Sequence, residues 1–157
     1  MAEIYIYSGP VRSGKTSKLD QWIKKQRSVD GVLAPVIENK RHLKFIAAGD
    51  KFLIETELDD ESKVYRVGRY KFLKSVFRDA VEYLDKLRKN PSEWIVIDEI
   101  GWLELDGQGL EPAVSELLNE LKYTDTYILL VVRDFLKGKI ISHYKFEPEK
   151  INEFVPG

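Results

Sequence analysis

Two short stretches carry side chains able to work on phosphate. The first is Gly9-Pro10-Val11-Arg12-Ser13-Gly14-Lys15-Thr16, followed by Ser17; the second is Asp98-Glu99. The first spells G-x-x-x-x-G-K-T, the P-loop pattern. Its glycines permit a close approach of backbone to ligand that a Cβ would obstruct. Backbone N–H groups of such a loop, together with the positive end of a following helix, face an anion. Gly9, Pro10, Val11, Arg12, Ser13, Gly14, Lys15, Thr16 and Ser17 are therefore the expected nucleotide-binding residues. Lys15 is expected to reach the β- and γ-phosphates, and the Thr16 hydroxyl to bind Mg²⁺. Arg12 reads equally as a cap on the γ-phosphate or as a solvent-facing side chain.

Asp98-Glu99 follows Trp94-Ile95-Val96-Ile97 without a gap. An uninterrupted apolar run fits a strand buried on both faces of a parallel sheet. A carboxylate at the end of such a strand stands where open α/β sheets bind ligands. Beside a P-loop this is the Walker B position. Asp98 is the expected second metal residue, acting through water, and Glu99 the expected base that orients or deprotonates an attacking water.

The elements needed to position these groups are legible in the apolar pattern. Residues 4–7 read as a strand and 14–28 as a helix, with Leu19, Trp22 and Ile23 on one face. Residues 32–37 read as a strand with Pro35 inside it, which suggests an edge or a bulge. Residues 42–47, 52–58 and 63–73 read as three strands of an antiparallel meander, inserted at about 41–73 between parallel elements. A helix is expected over 75–89, a strand over 93–97, a helix over 110–122 with Pro112 in its first turn, a strand over 127–132 and a short helix over 134–144. Residues 150–154 are a possible last strand. Alternating strands and helices imply an α/β fold with a mostly parallel sheet.

Composition narrows the class. The chain has 157 residues, 43% hydrophobic and 32% charged, as expected of one soluble globular domain spanning 1–157. Lys plus Arg number 25 against 26 for Asp plus Glu, so there is no basic bias toward nucleic acid. The absence of cysteine excludes disulfides, zinc–thiolate sites and thiol nucleophiles. No apolar run approaches a membrane span and no signal peptide is visible, so a cytoplasmic location and no membrane partner are expected.

Gly9 to Thr16, Val67-Gly68-Arg69-Tyr70, Ile97-Asp98-Glu99-Ile100-Gly101-x-Leu103-Glu104-Leu105 and Val131-Val132-Arg133-Asp134 occur in one order along nearly the whole chain. Together they resemble the cancer-related nucleoside-triphosphatase family, small P-loop proteins also known from thermophiles. The resemblance implies a RecA-like fold and slow, Mg²⁺-dependent hydrolysis of several nucleoside triphosphates to diphosphate and phosphate. It makes Lys15 and Thr16 phosphate and metal groups, and Asp98 and Glu99 the Walker B pair. The chain departs from the family over residues 35–45, where a Glu-Val-Arg element and the glycines of a Gly-x-Arg-x-Gly-Phe element are missing. Arg41 is the arginine available to align with the second of these.

Four further features have two readings each. Lys40, Arg41, His42 and Lys44 form a basic patch, read as a solvated strand edge before a contact with nucleotide phosphates or a nucleic acid. Arg133 suits a surface ion pair or a phosphate sensor. Trp102 suits packing or base stacking. Glu104 suits a loop-fixing hydrogen bond or the metal's surroundings. Two rival functions share the P-loop: a nucleoside or nucleotide kinase, and a nucleotide-dependent switch whose hydrolysis is incidental.

Overall fold

The computed structural model describes residues 1–10 and 14–157; Val11, Arg12 and Ser13 lie outside the described residues. In chain order the elements are β1 (Glu3–Gly9), α1 (Lys15–Ile23), β2 (Val29–Leu33), β3 (Val36–Ile37), β4 (Lys40–Phe45), β5 (Lys51–Leu53), β6 (Val64–Val67), β7 (Tyr70–Leu73) and α2 (Lys74–Lys89). They continue with β8 (Trp94–Ile100), α3 (Trp102–Leu105), α4 (Ala113–Leu121), β9 (Tyr127–Arg133), α5 (Lys137–His143) and β10 (Ile151–Glu153).

The main sheet runs β10-β1-β9-β8-β2-β4-β3, with β5 added to β4. The first five strands are parallel; β4 pairs antiparallel to β2, β3 and β5. The fold is thus α/β, a mostly parallel sheet flanked by helices. β9 lies between β1 and β8, so the strand leading to the P-loop and the strand ending in Asp98-Glu99 are not neighbours. Ile95, Val96 and Ile97 of β8, and Ile128 to Val131 of β9, are fully buried, as their unbroken apolar runs require.

The sheet's two faces are covered differently. On one, Val76, Ala80, Leu84 and Leu87 of α2 and Ala113, Val114, Leu117 and Leu121 of α4 pack on the sheet with Leu136 and Ile140. These positions recur at helical spacing, which explains why the two helices form where the pattern predicts. On the other, α1 contributes Leu19 to a smaller cluster with Leu33, Val96, Leu129, Val131 and Phe154. Leu19 is fully buried, so truncating it to alanine would cost about 2–5 kcal/mol and loosen the helix that begins at the phosphate loop.

Several boundaries differ from expectation for local reasons. α1 stops at Ile23 because residues 24–28 offer no apolar side chain to bury. Pro35, without an N–H, divides the expected strand 32–37 into β2 and β3. The expected meander is present but divided: β4 and β5 extend the main sheet, whereas residues 64–73 fold back as the separate hairpin β6–β7 through Gly68-Arg69. The hairpin is tied to the segment before it by Thr56 N–H donating to Lys71 O at 3.0 Å and Leu73 N–H to Ile54 O at 2.9 Å. The short helix expected over 134–144 is a 3₁₀ turn, Asp134–Leu136, running into α5.

Candidate functional site

The groups singled out by sequence come together at the carboxyl ends of β1, β8 and β9. Gly14 has φ 78°, a left-handed conformation suited to glycine, and α1 begins at the next residue. Lys18 N–H donates to Gly14 O at 3.1 Å. Lys15 is buried, and its Nζ donates to Gly9 O and Pro10 O, each at 3.2 Å. Its ammonium is therefore folded over the loop rather than extended into solvent. Gly9 and Pro10 form the entry to the loop, and Ser17 is exposed on the first turn of α1. Expectations for Val11, Arg12 and Ser13 concern residues outside those described.

Asp98 meets the loop across the intervening strand. Thr16 Oγ1 donates to Asp98 Oδ2 at 2.9 Å, and Ala34 N–H donates to the same oxygen at 3.0 Å. The other oxygen, Oδ1, is buried and has no hydrogen-bond partner among the described residues. Burial and the neighbouring Glu99 charge push the Asp98 carboxyl up to about 6, against the pull of Ala34 N–H, Thr16 and Arg41. A buried carboxylate oxygen without a donor costs free energy. A cation would remove that cost. Mg²⁺ is commonly held by one or two protein oxygens, with phosphate and water completing the octahedron. Thr16 Oγ1 and Asp98 thus fit Mg²⁺, and a cage of three or more acidic or histidine ligands is absent among the described residues.

Glu99 is aimed elsewhere by a break in the ladder. Ile97 pairs with Leu130 and Ile100 with Val132, so β8 carries one extra residue against β9. Within this bulge Glu99 adopts φ 62°, a left-handed conformation costing a non-glycine residue on the order of 1–3 kcal/mol. The consequence is a division of two adjacent carboxylates: Asp98 is buried and Glu99 is 27% exposed at the side chain. Two guanidinium groups bracket Glu99. Arg41 Nη1 stands 3.9 Å from Oε1 and Arg133 Nε 3.8 Å from Oε2. Both distances allow attraction without a direct hydrogen bond.

Arg133 ends β9 in register with Gly9 of β1, so it sits beside the mouth of the phosphate loop. Of its two readings, the ion pair is present, with Glu99 as partner. Arg41 is a site residue that the edge-patch reading missed. Its guanidinium donates to Ala34 O, whose own N–H holds Asp98. Period-two alternation carried the signal: Arg41 shares a strand face with Leu43 and Phe45, which are buried at 4% and 6% exposure. The rest of the patch disperses, with Lys40 3.5 Å from Glu57 and Lys44 3.7 Å from Asp20.

Glu104 resolves as a structural clamp. It is buried; Oε1 accepts from Gly101 N–H at 2.8 Å and Oε2 from Leu110 N–H at 3.0 Å. It closes the loop after β8 from both ends. A Cβ at Gly109 would lie 2.1 Å from Oε2, so this glycine (φ 64°) is part of the clamp. Burial raises the Glu104 carboxyl to about 7, opposed by the N–H groups it accepts from.

Comparisons with known proteins bear on the fold and the family. No curated protein sequence matches the chain. The structure is similar to THEP1 from the hyperthermophile Aquifex aeolicus, with TM-score 0.72 and 16% identity over 99% of this chain and 90% of that one. It is similar also to a human cancer-related nucleoside triphosphatase, with TM-score 0.66 and 21% identity over 98% and 88% of the two chains. At these identities the likeness shows the fold. The NTPase family model matches residues 4–152, nearly the whole chain, and the chain therefore belongs to the NTPase family.

Proposed function

We propose that this protein hydrolyses nucleoside 5′-triphosphates to diphosphate and phosphate, in a Mg²⁺-dependent reaction, slowly and with broad base specificity. The observation that carries the reading is the Thr16 Oγ1–Asp98 Oδ2 contact of 2.9 Å beside the buried Oδ1, which has no partner among the described residues. It joins the phosphate loop to a carboxylate with an oxygen left for a cation. Breadth and slowness rest on the family resemblance.

Lys15 and the loop N–H groups hold the β- and γ-phosphates. Thr16 and Asp98 hold Mg²⁺, which when bound offsets the charge on the phosphate oxygens. Glu99 orients a water in line with the γ-phosphorus and accepts its proton as the new O–P bond forms and the β–γ bridge breaks. Arg41 and Arg133, already beside Glu99, supply positive charge where the transferring group becomes most anionic. Residues 1–157 act in this reading as one domain, in the cytoplasm. Among the described residues no helix is long and apolar enough to cross a membrane.

Phosphate release from ATP, GTP, CTP and UTP with and without Mg²⁺ tests the reading. Release from several triphosphates, lost without metal and in Lys15→Ala, is the expected result. Tight triphosphate binding without release would overturn it in favour of a kinase or a switch.

A further inference from the structure

A cleft of about 590 Å³ opens between α3 and α5, and none of the groups described above uses it. It is shallow and open to solvent, wide enough for a small molecule to lie across it. Trp102, Asp106, Lys139, Ser142 and His143 line it. Trp102 is 45% exposed, so a large part of the indole faces solvent, and the ring of Phe135, 56% exposed, stands 6.3 Å away. Lys139 Nζ lies 5.3 Å from the indole centroid. An aromatic face, a cation resting on it, and a carboxylate and hydroxyl at the side form one set of complementary chemistries.

We propose that this cleft is a second ligand site, distinct from the phosphate loop, and that it binds a mononucleotide. The base stacks on Trp102, displacing Lys139 from the ring. The freed ammonium and His143 meet the phosphate, while Asp106 and Ser142 offer an acceptor and a hydroxyl to the base edge or ribose. A single nucleotide fits better than a polymer. A nucleic-acid strand needs a basic track for its phosphates, whereas the lining here offers one lysine, Lys139, with the exposed carboxylate of Asp106 beside it.

The site's place in the fold gives it a use. Trp102 follows Glu99 by three residues, a reach of roughly 11 Å at most, and Phe135 follows Arg133 by two. The ligand therefore lies on the Glu99 side of the site, against the ends of β8 and β9.

Equilibrium dialysis of AMP, GMP, CMP and UMP against the Lys15→Ala protein tests this, because that substitution removes triphosphate binding at the loop. Saturable binding of one nucleotide per chain is expected, weakened about tenfold by Trp102→Leu, the scale of one lost base–aromatic stack. Lys139→Ala should weaken the nucleotides but not the parent nucleosides. Both variants should keep triphosphate hydrolysis in an otherwise native chain. Absence of binding, insensitivity to Trp102→Leu, or binding present in the native chain and lost in Lys15→Ala would each overturn the proposal. So would far tighter capture of a short oligonucleotide than of its monomer, which would make the cleft part of a nucleic-acid surface. None of these outcomes depends on whether the loop hydrolyses its triphosphate.

Discussion

Asp98 and Glu104 are two buried carboxylates six positions apart, at either side of the turn that ends β8. Burial raises both, to about 6 and about 7. They differ in what their oxygens find. Glu104 has one backbone N–H for each oxygen, so its account closes within the chain. Among the described residues Asp98 has two donors crowded onto Oδ2 and none on Oδ1. A buried carboxylate with both oxygens filled holds a loop in shape. One with an oxygen left over is built to receive something from outside. Burial and shifted protonation alone would not have told the two apart.

The sharpest way to break the comparison is to neutralise each carboxylate in turn. Asp98→Asn should lower steady-state triphosphate hydrolysis about a thousandfold, a loss of several kcal/mol of charge stabilisation. Its melting temperature without metal should hold or rise, since an unpaired buried charge has gone. Full activity in this variant would remove Asp98 from the site. Next in size, Glu99→Gln should cut turnover about a hundredfold while triphosphate affinity is retained, which dialysis with ATP would check. Surviving turnover would assign the water to another group.

Glu104→Gln should act in the opposite sense to Asp98→Asn. Its amide nitrogen must face an N–H donor, leaving one buried group orphaned at a cost of about 1–3 kcal/mol, a fall of several degrees in melting temperature. A variant as stable as the parent would show that the clamp is not needed. The smallest effect is in pH. Both carboxyls titrate higher in the folded chain than in the unfolded one, so the folded state binds protons more readily in between. Stability should therefore fall as pH rises, through the window from about 4 to 6 for Asp98 and on to about 7 for Glu104. Asp98→Asn should flatten the lower part of a melting-temperature profile and Glu104→Gln the upper. Mg²⁺ with a triphosphate should flatten only the lower.

Much of this was legible in the residues. The strand and helix on either side of residues 9–14, and the buried strand that carries Asp98-Glu99, follow from turn glycines and from short apolar runs. What stayed hidden depends on register. The bulge that separates Glu99 from Asp98 leaves no mark in Ile97-Asp98-Glu99-Ile100, because it is set by how β8 pairs with β9. Arg41 was read as edge protection because its neighbours are basic, although its strand face is shared with Leu43 and Phe45. Gly68 was seen as part of a motif rather than as the turn of a hairpin, so residues 63–73 were read as one strand. The role of Glu104 required knowing that Leu110 returns to within hydrogen-bond reach of Gly101's partner, which no local pattern states.

The aromatic cluster on the α1 face has a spectroscopic consequence. Trp22 comes from α1, which starts at Lys15, and Trp94 opens β8, the strand that carries Asp98. Their rings stand 4.9 Å apart, edge to face at 83°, with Phe154 5.0 Å from Trp22. Two indole transition dipoles so close couple their excited states, and the coupling changes with separation and angle. The chain therefore carries an intrinsic optical gauge between α1 and β8. Near-ultraviolet circular dichroism can follow how α1 sits on β8 as ligand arrives, without any label.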